Sequence, residues 1–258
     1  MSQSRPHPLQ IKLSCFVTLS DQDKDALQDI EGEVRVVPSR TALSVEGSAP
    51  SDVVLVLDGM AARHKHLAHH RRQIVSFMLP GDLSDFETVT PRVLDHGAEA
   101  VSECRILVIP RPVLAELMQR PAIAEAMHVS ANVEAAIIKE WLVNVGRRTS
   151  VERVAHLLCE FLFRLRAIGL AEDDRMVFPV TKMDLADSTC LSVVHVNRIL
   201  QDFRDSGLLR LDDDILEILD PSALQRTGGF SDEYLELPIR FGQPGSDFSR
   251  GSGNSASP

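Results

Sequence analysis

The chain has 258 residues, 44% of them apolar, and a net charge of −10. That length suits one large or two modest domains, each with its own core, and the apolar content excludes disorder for the bulk of the chain. The acidic balance excludes a generally basic nucleic-acid coat protein, so any such contact must come from a local patch.

The start, MSQSRPHPLQ, has no apolar h-region, and no later apolar run approaches the roughly 18 residues needed to cross a bilayer. A cytoplasmic protein with no membrane partner is expected. Residues 1–12 read as a flexible arm. Ser20 can cap a short helix with Asp21, Asp23 and Asp25 in its first turn and Leu19, Ala26, Leu27 and Ile30 on its apolar side. From about residue 32 to 112, β-rich runs at 34–37, 53–57, 73–78 and 104–109 alternate with Gly, Pro, Ser and Asp. That spacing predicts an antiparallel sandwich or barrel with turns at Gly47, Gly59 and Gly81.

A short helix is expected at 111–118. Pro121 then suits the first turn of a long helix over 122–145, which Gly146 would end. Ile123, Met127, Val133, Ile137, Trp141 and Val145 form its apolar stripe, interrupted by Ser130, Glu134 and Asn144. This is either a buried core helix or one that pairs with its copy. Thr149 and Glu152 form a capping-box pattern opening a helix to about 167. A loop and short strand (173–178), a hairpin-like segment (208–211 and 215–219) and a weakly helical stretch (221–237) follow. The Gly/Ser/Pro-rich residues 241–258 read as a disordered tail. Four scattered cysteines, Cys15, Cys104, Cys159 and Cys190, have no C-x-x-C spacing and signal neither zinc ribbon nor redox pair.

The stretch TKMDLADSTCLSVVHVNRILQDF, residues 181–203, reads as two helices joined by a tight turn. Thr181 or Thr189, and Ser192, are natural N-caps. Val196, Ile199, Leu200 and Phe203 share one face of the second helix, 192–203. The opposite face shows Val194, Arg198 and Gln201, flanked by His195 and Asn197. Arg can bind guanine bidentately, Asn or Gln can pair with adenine, and Val can touch a thymine methyl. Phosphate contacts are expected from amides near Thr181 and from Lys182, with Arg204 a further candidate. Against this stand Cys190 at a turn position that favours Gly, and the acidic Asp212, Asp213 and Asp214 at the expected wing. An ordinary helical hairpin with a solvated outer face is the alternative.

LSVVHVNRILQDFRDSGLL, GRRTSVERVAHLLCEFLFRLRAIGL and LVLDGMAARHKHLAHHRRQIVSFMLPGDLSDF together resemble the Crp/Fnr family of bacterial transcription regulators over roughly 13–238. The resemblance implies an α+β fold. It has an N-terminal antiparallel β-roll (a double-stranded β-helix, cupin-like) as a cyclic-nucleotide-binding-like sensor domain at 13–118. A dimerisation helix at 119–146 and a winged helix-turn-helix at 147–240 follow. It implies a homodimer on a palindromic site of double-stranded DNA, with RNA polymerase as a partner for an activator, and it favours the dimer reading of the long helix. Val193, Val194 and Arg198 match the family's base-reading positions, with His195 and Asn197 within reach. Gly81-Asp82 begins the cyclic-nucleotide motif, but Leu94-Asp95 stands where an Arg-Ser pair would hold the phosphate, so no cyclic AMP is expected. With only Cys15 near the N-terminus, no iron–sulfur cluster is expected, and no haem is assigned. The effector stays open.

His64, His66, His69 and His70 crowd one segment. The rival reading makes them a metal site of a sensor or small-molecule enzyme on the β-rich domain. Arg63, Lys65, Arg71 and Arg72 beside them disfavour a cation, so neither metal nor enzyme is expected. Asp82, Asp85 and Glu87 read as loop carboxylates.

Overall fold

The computed structural model describes residues 6–68, 71–85 and 93–237. Helix α1 (Pro8–Ser14) and helix α2 (Asp21–Gln28) precede the strands. The described part of the expected flexible arm is therefore partly helical. Pro8 sits in the first turn of α1, and Leu9 and Leu13, one turn apart, are buried. Ser20 caps α2 in a reciprocal box with Asp23.

Among the described residues, seven strands build the N-terminal domain: β1 (Glu33–Val37), β2 (Ala42–Ser44), β3 (Asp52–Asp58), β4 (Ala61–Leu67), β5 (Arg71–Met78), β6 (Gly97–Ala100) and β7 (Cys104–Pro110). They form two antiparallel sheets, ordered β1-β7-β3 and β2-β6-β4-β5. Alternation along the strands divides the apolar side chains. Val54, Ile106, Ala100 and Cys104 pack together, as do Val56, Ala61, Met78 and Ala98. Val53, Leu55, Leu107 and Ile109 instead pack in one core with Leu9, Leu13 and Leu27. Gly59 makes the β3–β4 turn at φ +84°, and a Cβ there would meet the Glu103 carbonyl at 2.3 Å.

Helix α3 (Arg111–Leu117) leads into α4 (Pro121–Arg147). Gly146 does not end α4, which continues to Arg147. Ile123, Met127, Val133, Ile137 and Trp141 are buried in the chain's own cores. The interrupting residues are accommodated: Ser130 and Asn144 are buried, and Glu134 pairs with Arg63 at 3.2 Å. A different face of α4 lies open, formed by Ala124, His128, Ala131, Ala135, Ile138, Leu142 and Val145, all exposed or half-exposed. These recur at alternating spacings of four and three, the seam of a coiled coil.

Helix α5 (Ser150–Ala167) is capped by the Thr149–Glu152 box. The hairpin β8 (Ala171–Glu172) and β9 (Arg175–Val177) follows, then α6 (Lys182–Thr189), α7 (Val193–Asp205), β10 (Leu209–Asp212), β11 (Ile215–Ile218), α8 (Pro221–Gly228) and a 3-10 turn (Glu233–Leu235). The four C-terminal strands form one antiparallel sheet, β10-β11-β9-β8. A continuous core joins the two halves: Ile74 and Phe77 of β5 pack with Trp141 of α4 and with Phe161 and Leu165 of α5. The Phe77 and Phe161 ring centroids are 4.9 Å apart.

Candidate nucleic-acid interface

Helices α6 and α7 are built as the residue pattern requires. Thr181 caps α6, its side chain accepting from the Asp184 amide at 3.2 Å, and Ser192 caps α7, accepting from the His195 amide at 3.2 Å. Between them Cys190 takes the left-handed conformation, φ 56° and ψ 40°, and its thiol donates to Gln73 Oε1 at 3.0 Å. Leu185 and Ala186 of α6 and Val196, Ile199, Leu200 and Phe203 of α7 close one core with α5. The outward side of α7 is thereby fixed.

On that side Val194, His195, Asn197, Arg198 and Gln201 are exposed. The side chains of His195, Asn197 and Arg198 make no hydrogen bond or ion pair among the described residues. Gln201 differs, since its amide donates to Asp205 at 2.8 Å. Val193 is half-buried and packs on the core, so only Val194 of the two valines stands clear. The wing places Asp213 at a left-handed turn, φ 50°. The Asp214 carbonyl accepts from the Phe178 amide at 2.7 Å, tying the wing to the strand before α6. Arg204 reaches the Leu211 carbonyl at 3.4 Å rather than standing free.

The N-terminus of α6 is less open. Lys182 is exposed, but Thr181 accepts from Arg40 at 3.4 Å, and Asp184 is fully buried. Arg40 and Arg72, from the β-roll, each approach Asp184 to 2.7 Å, and Arg72 also pairs with Asp187 at 2.9 Å. Burial opposes the Asp184 charge, but hydrogen bonds from Arg40, Thr181 and Arg72 outweigh it and hold the carboxyl below its usual range. No local pattern announced this cluster, because its partners lie more than a hundred residues apart.

The β-roll carboxylates are likewise committed. Asp82 does lie in the loop after β5, but it is buried, 2.5 Å from Lys12 and 2.9 Å from Arg164 of α5. Burial works against its charge, and those two cations hold it down in the ionised form. Asp85 is buried against Arg111 at 3.0 Å. Glu87 lies outside the described residues. Leu94 is buried and Asp95 pairs with His96 at 2.8 Å. In the cleft beside α4, Arg63 is bound to Ser76, the Leu83 and Ser84 carbonyls and Glu134. His64 and His66 lie side by side, ring centroids 4.6 Å apart, and burial lowers the pKa of His64. His69 and His70 lie outside the described residues. Among the described residues no group of three or more His, Cys, Asp or Glu is placed to hold a metal ion, and no helix is long and apolar enough to cross a membrane.

The family model described as Crp-like helix-turn-helix domain matches residues 152–227, and that described as cyclic nucleotide-binding domain matches residues 34–121. The chain is 32% identical over 177 residues to the nitrogen fixation regulation protein FixK of Azorhizobium caulinodans, covering 68% of this chain and 71% of that protein. It is 27% identical over 206 residues to the transcriptional activatory protein AadR of Rhodopseudomonas palustris, covering 79% and 84%. The solved structure of FixK2 from Bradyrhizobium japonicum has the same fold, with a TM-score of 0.70 at 23% identity over 78% of this chain and 100% of that one. The two-sheet roll, the long helix and the capped helical pair thus meet in one assignment: the chain belongs to the Crp/Fnr family of DNA-binding transcription regulators.

Proposed function

We propose that the chain acts as a homodimer that reads a two-fold symmetric duplex through α7 of each copy, without cyclic AMP as its signal. The observation that carries the reading is the outer face of α7. Val194, Asn197 and Arg198 are exposed there, and neither polar side chain is engaged by the protein. A free guanidinium and a free amide on a groove-sized helix are the groups that discriminate base pairs. Thr181 and Lys182 at the start of α6 are the phosphate-facing pair, as the helix N-terminus favours an anion. That role competes with Arg40 and Arg72 for the same helix end.

The dimer rests on the open face of α4. Ala135, Ile138 and Leu142 are exposed, and Leu142 is 70% so. A seven-residue repeat of this kind, left bare in one chain, is complementary to its own copy. Two copies would set their recognition helices one DNA turn apart.

A cyclic phosphodiester needs an unpaired cation. Arg63, which lines the cleft, already answers Glu134 and two carbonyls, and Asp82 is held by Lys12 and Arg164. Transcription control rather than catalysis is the role, with RNA polymerase as the partner when the chain acts as an activator; two relatives carry activation in their names. The test is selection of bound sequences from random duplex DNA with the full chain. A two-fold symmetric motif supports the reading, and recovery of no motif overturns it.

A further inference from the structure

Val194 is 80% exposed, more than any other large apolar side chain among the described residues. It sits on the first full turn of a helix whose inner face is buried, while its neighbour Val193 packs partly on the core. Val194 is thus left in water where the helix meets its ligand. Arg198 follows four residues on, on the same face and unpaired among the described residues. Towards the other end of the helix the chemistry changes. Asp202 is exposed, and Asp205 holds Gln201. Carboxylates there repel phosphates, so the N-terminal half of α7 is the half that enters the groove.

A valine has no hydrogen-bonding group. Laid on the acceptor or donor edge of a base it would strip water and return nothing. The major groove offers one apolar feature, the C5-methyl group of thymine. Resting on the DNA-reading role of α7 proposed above, we propose that Val194 reads the 5-methyl group of a thymine. That thymine lies within about two base pairs of the guanine taken by Arg198, because four helical residues rise about 6 Å and bases stack about 3.4 Å apart. Val194 is therefore a specificity-determining residue that selects thymine over cytosine by shape and desolvation.

The experiment uses duplexes enriched from a random pool by the full chain. Each thymine in turn is replaced by deoxyuridine, which lacks only the 5-methyl group, and affinity is measured for the wild type and for Val194→Ala. With its side chain in solvent, Val194→Ala leaves the fold intact, which circular dichroism checks. One thymine per half-site is expected at which the replacement weakens wild-type binding about fivefold, as removal of one apolar contact should. At that thymine, binding of Val194→Ala should change by less than about twofold, since the methyl's partner is already gone. The assignment is overturned if every replacement affects both proteins equally. A pool that enriches no sequence would instead overturn the DNA-reading role itself, and the assignment with it.

Discussion

Arg72 of β5 donates to Asp184 of α6 at 2.7 Å, joining the β-roll to the first helix of the DNA-binding pair. Asp184 is fully buried and also closes the Thr181 capping box, so one carboxylate serves the helix end and the domain contact together. Arg40 reaches it too, but is 41% exposed. Its two nitrogens meet both Asp184 oxygens, at 2.7 and 2.8 Å, while exposure screens that pair, so the two arginines share the carboxylate. Arg72→Ala should destabilise the chain by roughly 1–3 kcal/mol, the cost of leaving a buried polar group short of a partner. Removing both arginines should cost roughly 3–5 kcal/mol. Urea titration measures both. The folded-state pKa of Asp184 is depressed, so this stability is present above the unfolded value and fades as pH falls below about 4.

His156 of α5 supplies a second acid-sensitive group. It is buried between Phe230 and Tyr234, whose ring centroids lie 5.1 and 6.1 Å away. Burial first, and Arg148 second, push its pKa down to about 4, against the pull of Glu140. The unfolded chain, with a histidine near 6.5, then binds more protons than the folded one between those values. Stability should rise with pH across that window, by up to about 3 kcal/mol. His156→Phe should flatten the pH dependence of the urea midpoint between pH 4 and 6.5. An unchanged slope would show that His156 does not set this pH dependence.

Cys190 holds a left-handed backbone at φ 56°. An L-residue there costs about 1–2 kcal/mol relative to glycine. The glycine's own unfolded-state freedom and the lost Gln73 contact take back part of that. Cys190→Gly should therefore stabilise the chain by about 0.5–1 kcal/mol, whereas Cys190→Ala keeps the strain and should not. Thermal unfolding of the two variants side by side checks this.

Leu142 and Ile138 are exposed on the open seam of α4. Leu142→Glu should leave the single-chain fold intact and weaken self-association by roughly 2–4 kcal/mol, as charge at an interface centre does. Sedimentation equilibrium reads the change. A variant that pairs as tightly as wild type would place the dimer contact elsewhere.

Legibility in the sequence followed from whether a signal was local. The caps at Ser20, Thr149, Thr181 and Ser192 and the turn at Cys190 are short-range patterns, and the structure realises each, whereas Thr189, the other cap candidate, lies inside α6. Strands β2, β4 and β6 carry ALS, AARHKHL and GAEA, short or poor in β-branched residues, so no strand pattern marked them. In α4 the bulky stripe drew the eye to residues that the chain buries in itself. The open seam was hidden because three of its seven positions are alanine and one is histidine. The burial of the loop carboxylates Asp82 and Asp85, and of Asp184, was not legible, since the cations that pair with them come from distant segments. On α7, the helical period separated the buried face from the outer one. It could not show that Val193 turns half inward while Val194 does not.

Base reading by α7 through Arg198 is tested by binding of wild type and Arg198→Ala to a duplex enriched from a random pool and to single base-pair variants of it. Arg198→Ala should lose about 1–3 kcal/mol, with indifference to sequence at one G·C pair per half-site and retained selectivity elsewhere. Equal affinity and equal selectivity of the two proteins at every position would contradict it.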